Sequence, residues 1–460
     1  MRNHTTRKPI RRRSPATPPP TRRRRRPRAE QLAGAILAEQ QLARVLSPEV
    51  VDELRAETGY NPRQRRATAY RLLVVVLYGY LLGQTLGFSR LRALFTRYYG
   101  GIRPRAFQLR FKSVAAAHFF RAAFERAVRA VADWSGVRLD GPLAVFDDVR
   151  AYDGTGQRVP PRGRKALPAC VAGRAGAKWM VGYSLKTGLI EEALVDAETA
   201  SDLPMWRRLV GDLRRGSLYL LDLAFYERAL FADAIAVGAH VVMRFKHGTK
   251  VTVLGHQTDR GFAELPSWSL GYYLRGQSVR RGTLFDLDVR WGRGACAVVL
   301  RLVGVSLGGR RGLRFYFTTV PRDLLSAEQI VAVYRLRWLI EFLFRDLKQS
   351  ADLGRSFTAD KNALEALTYG AMLGHVVVRS LRVIAALRHQ VPLEQLRPLA
   401  CRDFIRGYAA DLVGALVDMD CDALHVLMVT ITDGIIEFAR ERSGSASRTR
   451  IAAMLGAGGG

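Results

Sequence analysis

The segment Tyr334 to Lys348, YRLRWLIEFLFRDLK, constrains what this chain can fold into more than any other fifteen residues. Drawn as an α-helix at about 100° per residue, Tyr334, Arg337, Glu341 and Lys348 fall within a stripe about 60° wide. Leu336, Leu339, Ile340, Leu343 and Leu347 gather on the opposite side. Such a helix buries its apolar face against another layer and leaves the stripe available to grip phosphate and metal. Arg337 and Glu341 also form an ordinary i,i+4 ion pair, which is all that an amphipathic surface helix would require.

A second pattern supplies the other layer. Leu218 to Leu221 is a short apolar run, ended by Asp222 and followed by the helix-compatible YERALFADAIA. A strand, an acid at its carboxyl end and a crossover helix together describe the place where open α/β sheets put functional groups. Upstream, LAVFDDVRAYDGTG offers Asp147, Asp148 and Asp153. Period-2 alternation puts Asp147 and Asp153 on one sheet face and Asp148 on the other. Asp153-Gly154 also suits a turn.

The spacing of Tyr334, Arg337, Glu341 and Lys348, with two, three and six residues between them, matches a family signature. Together with the run Tyr334, Arg335, Arg337, Trp338, Ile340, Glu341, it makes the chain resemble the DDE transposases of the bacterial insertion-sequence family four, in the RNase H-like superfamily. Asp222 fits that family's second-aspartate motif, an apolar strand followed by Asp and a nearby aromatic. Its first aspartate usually precedes Gly-Thr or Gly-Ser, which selects Asp153 and leaves Asp147 as the runner-up.

The resemblance implies an α/β fold, an RNase H-like catalytic core with an inserted β-rich subdomain and flanking N-terminal and C-terminal helices. It implies catalytic and metal-binding roles for Asp153, Asp222 and Glu341. Tyr334, Arg337, Trp338 and Lys348 would bind DNA, with Trp338 also supporting the helix. Two Mg2+ ions are expected, with Mn2+ able to substitute. Hard cations of this kind take oxygen ligands, and a pair about 4 Å apart can serve both sides of a phosphoryl displacement. The implied reaction is hydrolysis at the transposon ends, followed by joining of the 3′-hydroxyl to target DNA. The partners are double-stranded DNA, as terminal inverted repeats and target, and a second copy of the chain in a homodimer on DNA. A non-transposing nuclease of the same fold would cleave without joining, and a silent DNA-binding derivative would lack a carboxylate.

Charge points independently to a polyanion. The net charge is +31, and outside residues 1 to 28 sixty basic residues still face 41 acidic ones. Lys348 is one of only nine lysines among 72 basic residues, so composition alone would not place a lysine at the signature position. Basic RNA-binding proteins share such totals, but the charge alone would not order three acids in this way.

The chain is expected to divide into an Arg-rich disordered tail over 1–30, a helical region over 31–138 that the resemblance implies binds DNA, and the first part of the implied RNase H-like core over 139–246. A β-rich insertion over 247–320, the catalytic-Glu helix over 321–375, C-terminal helices over 376–442 and a flexible tail over 443–460 follow. Ser47-Pro48-Glu49 starts a helix, and Ser201-Asp202 starts another through about Arg214. Trp179–Leu185 and Leu189–Val195 form a hairpin across Lys186-Thr187-Gly188. Trp268, Tyr272 and Trp291 could stack a base, though packing the β layer is their commoner use. Leu72–Leu82 is too short for the roughly 20 apolar residues of a membrane span. Cys170, Cys296, Cys401 and Cys421 show no metal spacing and are expected to be reduced and buried. A cytoplasmic, nucleoid-associated bacterial protein with no membrane contact is expected.

Overall fold

The computed structural model describes residues 29–440 except 63–65, 84–86, 136–138, 140, 309–311 and 352. Residues 1–28 of the tail expected over 1–30 and the whole of the tail expected over 443–460 lie outside the described residues, while Ala29 and Glu30 already belong to the first helix. The described residues open with six helices: α1 (Ala29–Val45), α2 (Pro48–Glu57), α3 (Ala69–Leu81), α4 (Phe88–Tyr99), α5 (Pro104–Leu109) and α6 (Val114–Ser135). Ser47 caps α2 through Val50 N, with Pro48 in the first turn as expected. The apolar run that begins at Leu72 lies within α3, a helix buried on nearly every side.

One sheet of ten strands organises the rest. Its order is β3-β2-β1-β4-β5-β10-β9-β8-β6-β7. The strands are β1 (Asp148–Val159), β2 (Ala175–Ser184), β3 (Leu189–Ala197), β4 (Ser217–Leu221), β5 (His240–Arg244), β6 (Val251–Thr258), β7 (Gly261–Ser269), β8 (Leu284–Trp291), β9 (Val298–Ser306) and β10 (Leu313–Thr318). Strands β1, β4 and β5 run parallel, while β2 and β3 form the expected antiparallel hairpin, with Trp179 opposite Val195. This is the five-strand arrangement of an RNase H-like core. The β-rich stretch after His247 does not form a separate layer. Its strand β10 pairs with β5, and β9, β8, β6 and β7 extend the same sheet.

Period-2 alternation splits the sheet into two faces. Val149, Ala151, Leu218, Leu220 and Val242 join the helical core, whereas Tyr152, Tyr219, Leu221, Val241 and Met243 join a second cluster with Trp206 and Phe231. The second cluster is covered by α7 (Asp202–Val210), α8 (Arg228–Val237) and α9 (Leu270–Arg275). Helix α7 ends at Gly211 (φ 60°) instead of near Arg214, because the chain takes a left-handed turn there that favours glycine.

On the helical face lie α10 (Ala327–Tyr334), α11 (Leu339–Ala351) and α12 (Lys361–His389), followed by α13 (Pro398–Gly407), α14 (Ala409–Asp418) and α15 (Cys421–Ala439). Helix α12 packs against α1, α3, α6 and α15. A Cβ at Gly370 would meet Val76 Cγ1 at 2.3 Å and one at Gly374 would meet Tyr80 Cδ1 at 2.3 Å, so these two glycines let α3 approach closely. Among the described residues α12 alone is long and apolar enough to cross a membrane, but 83% of its apolar stretch is buried inside the fold. The cysteines depart from expectation. Only Cys401 is buried, and Cys170, Cys296 and Cys421 are exposed because they fall in a loop, a short turn and a helix start.

Candidate active site

Strands β1 and β4 deliver two acids to one place. Their parallel pairing runs through Ala151 opposite Leu220, and two residues further on in each strand stand Asp153 and Asp222. Even spacing keeps both on the face of Ala151 and Leu220, the side on which α10 and α11 lie. Asp153 Oδ1 accepts from Gly154 N at 2.8 Å, and Asp222 Oδ1 accepts from Leu223 N at 2.6 Å. Asp153-Gly154 makes no turn, because both residues stay paired to β2 within β1, whereas Asp222 caps the short 3-10 turn that ends β4.

The third acid arrives on α11. The expected single helix is instead interrupted: α10 ends at Tyr334, a 3-10 turn spans Arg335–Trp338, and α11 begins at Leu339. Ser326 and Gln329 form a capping box that starts α10. The approach to it is clamped by buried Arg301, which donates to the carbonyls of Val320, Pro321 and Leu325 and pairs with Asp286 at 2.7 Å. The tight turn sinks Tyr334 and Arg337 into the protein, so the stripe is not uniformly exposed. Tyr334 is buried, and its hydroxyl donates to Leu221 O at 3.3 Å, next to Asp222. Burial pushes its phenol up to about 12.

Arg337 occupies the centre. Its Nη2 donates to Glu341 Oε1 at 2.9 Å, and its Nη1 lies 3.6 Å from Asp153 Oδ2. Burial opposes its charge, but Tyr334, Asp222, Asp153 and Glu341 around it hold its pKa above the ordinary arginine value. Burial in turn pushes the Asp153 carboxyl up to about 6, against the pull of Gly154 N–H and Arg337 and with the help of Asp222 and Glu341. The guanidinium is thus an internal counter-ion for acids from three separate elements. No three carboxylate, imidazole or thiol groups among the described residues are drawn together into a ready-made metal cage.

Lys348 is exposed and lines a cleft of about 440 Å³ with Thr155, Glu341, Phe344 and Arg345. Sequence reading passes over Thr155 and Arg345, although one shares the Asp153 face at i+2 and the other follows Glu341 at i+4. Trp338 is 52% exposed, with Arg337 5.5 Å from its ring centre, so it does not support the helix from within. Trp291 stacks on Phe317 and packs against Tyr226 inside the second cluster, and Trp268 lies edge-on to the exposed Tyr272.

The alternative first acids lie elsewhere. Asp147 is exposed just before β1, with its backbone bonded to Gly216 ahead of β4 and to Lys186 Nζ. Six residues separate it from Asp153, on the order of 20 Å along an extended chain. Asp148 is buried and paired to Arg150 at 3.0 Å in a network with Glu192 and Glu191.

Comparison with known proteins gives a consistent family. The sequence profile described as "Transposase DDE domain" matches residues 145–376, just over half of the chain. The transposase for insertion sequence element IS231C of Bacillus thuringiensis subsp. berliner is 20% identical over 405 residues, covering 79% of this chain and 84% of its own. That for IS231F of Bacillus thuringiensis subsp. israelensis is 22% identical over 377 residues, covering 73% and 77%. Among solved structures, a cryo-EM piggyBac transposase synaptic complex with hairpin DNA aligns with a TM-score of 0.46 and 12% identity, covering 90% of this chain and 87% of that one. Enzymes with this domain bind DNA and generally depend on divalent metal ions. The chain belongs to the transposase DDE domain family and is an insertion-sequence DNA transposase, an enzyme of DNA cleavage and strand transfer.

Proposed function

We propose that Asp153, Asp222 and Glu341 are the catalytic carboxylates and hold two divalent cations, Mg2+ with Mn2+ able to substitute. The observation that carries this reading is the matched register of Asp153 and Asp222 on adjacent parallel strands, on the face where Arg337 joins Asp153 to Glu341. The donor set fits hard cations because it is all oxygen. The raised Asp153 pKa means that an added positive charge would stabilise its ionised form. When bound, the cations would activate a water or 3′-hydroxyl and stabilise the leaving oxygen.

The chain's own groups do the positioning. Arg337 balances the carboxylates, and its Nε and Nη1, buried without hydrogen-bond acceptors, suit a phosphate oxygen brought by the DNA. Lys348 lines the same cleft as Thr155 and Glu341, where a compact ammonium can meet a neighbouring phosphate. Tyr334 fixes the end of α10 to the backbone just before Asp222. Trp338 presents an exposed ring to DNA beside Arg337. The reaction is hydrolysis at terminal inverted repeats and joining of the freed 3′-hydroxyl to target DNA, carried out by a homodimer on the DNA in the bacterial cytoplasm.

Asp222→Asn and Glu341→Gln test the assignment, since each removes a charge and little shape. Binding to a labelled transposon end should persist while cleavage falls by at least about a hundredfold, on the order of the loss of a few kcal/mol of transition-state stabilisation. Loss of end binding or folding in both variants would assign these acids a structural role.

A further inference from the structure

The connection from β1 to β2 is a basic platform that the reaction centre does not use. Residues 158–174 carry Arg158, Arg162, Arg164, Lys165 and Arg174 and no acid. All five side chains are exposed, and among the described residues none pairs with a carboxylate. Glu198 stands over Gly156 and Gly176 at the root of the connection instead of among the cations.

The segment is firmly held. Gly163 N bonds to Pro160 O, Leu167 is fully buried, and Gly176 N bonds to Leu167 O. It is also tied to the chain that leaves the catalytic helix. Arg158 N donates to Gly354 O at 3.0 Å, and Ser356 N donates to Arg158 O at 2.7 Å. Exposed Arg355 adds a sixth cation, and a Cβ at Gly354 would lie 3.8 Å from Lys348 Cγ.

Position gives the platform a use. Strand β1 runs six residues past Asp153 and overhangs the end of β4 where Asp222 lies. Arg158 stands five residues beyond Asp153, on the order of 17 Å along the strand. That is less than one turn of duplex, about 34 Å. The track from Lys348 through Arg355 and Arg158 to Arg162, Arg164 and Lys165 thus leads away from the carboxylates at a scale that suits phosphates near the reacting bond. Between 158 and 174 the charged side chains are all Arg or Lys, with no Asn or Gln to read adenine and no aromatic ring to stack on a base, so phosphate neutralisation is the interaction the surface favours. A recombinase handles one DNA of fixed sequence, its own ends, and one of arbitrary sequence.

We infer that the β1–β2 connection is the binding surface for the backbone of target DNA, a role that rests on the transposase chemistry proposed above. The test compares the full-length protein with the triple variant Arg162→Gln, Arg164→Gln, Lys165→Gln in two assays. One measures cleavage of a transposon end. The other measures joining of pre-cleaved ends to a plasmid.

Cleavage should stay within about twofold of the parent, while joining should fall at least tenfold at physiological salt and recover as salt is lowered. The log–log salt slope for target capture should drop by roughly 2–3, at about 0.9 for each phosphate no longer neutralised. Equal loss of cleavage and joining would place the transposon end on this surface and overturn the inference. Unchanged joining and salt slope would make the loop merely solvated and overturn it as well. A parent protein that neither cleaves nor joins would instead overturn the underlying reaction.

Discussion

Replacing Arg337 by Met should destabilise the protein in the absence of metal and make it unusually responsive to Mg2+. Met keeps most of the buried volume but removes the cation between Asp153, at 3.6 Å, and Glu341, at 2.9 Å. Stripping one partner from a fully buried pair costs about 3–5 kcal/mol. Here the arginine side chain is 8% exposed, but Asp153 and Glu341 are 27% and 34% exposed, so solvent screens part of the loss. A cost of roughly 1–3 kcal/mol is the reasonable magnitude. At about 2–4 °C per kcal/mol for a large domain, the melting temperature should fall by several degrees.

The assay is thermal unfolding followed by circular dichroism near pH 8, in EDTA and then with excess Mg2+. The Met variant should recover more from Mg2+ than the parent does, because three acids without a cation bind an added one more favourably. Arg337→Lys should fall between them, since a point charge cannot fork between two carboxylates. A Met variant that melts with the parent in EDTA and gains no more from Mg2+ would refute the view of Arg337 as the counter-ion of the site.

Two further outcomes follow from the same geometry. Asp153 holds its proton up to about pH 6 in the fold but only to about 3.8 when unfolded, so metal-free stability from this group should be lost as pH rises through 4 to 6. Comparing unfolding free energies of parent and Asp153→Asn across that window should show a shallower fall with pH in the variant, by the part this one group contributes, and a parallel pair of curves would contradict the shift. Lys348→Ala should leave the melting temperature unchanged because the side chain is exposed, yet reduce end cleavage sharply. Lys348→Arg should also lose activity if a compact ammonium is required, and full activity there would reduce Lys348 to a charged surface.

Local signals carried much of the fold. Ser47 and Pro48 start α2 because a cap and a proline act within one turn, and Ser326 with Gln329 starts α10 for the same reason. The apolar run before Asp222 reads as a strand because nothing polar interrupts it. What escaped the sequence depends on distant partners. A 100° wheel draws Tyr334 to Lys348 as one helix and cannot register the 3-10 turn that buries Arg337, because Leu221, Asp153 and Asp222, far away in the chain, hold those side chains. The pairing of β10 with β5 crosses about seventy residues, so the sequence shows an inserted β-rich subdomain but not that its strands extend the core sheet. The basic β1–β2 platform was legible as charge but hidden in a chain where arginine is everywhere.

The unbroken sheet limits how this enzyme can be shortened. Strand β10 closes the open side of β5 and is itself covered by β9. Cutting out the stretch from β6 to β9 would strip the hydrogen-bonding partner from a largely buried, apolar strand two places from the one that leads into Asp222. A raw edge of that kind recruits other chains and drives aggregation. A minimal transposase built from the five-strand core and β10 would therefore need a replacement edge, such as a bulged, lysine-bearing or proline-bearing strand, before its catalytic residues could be judged at all.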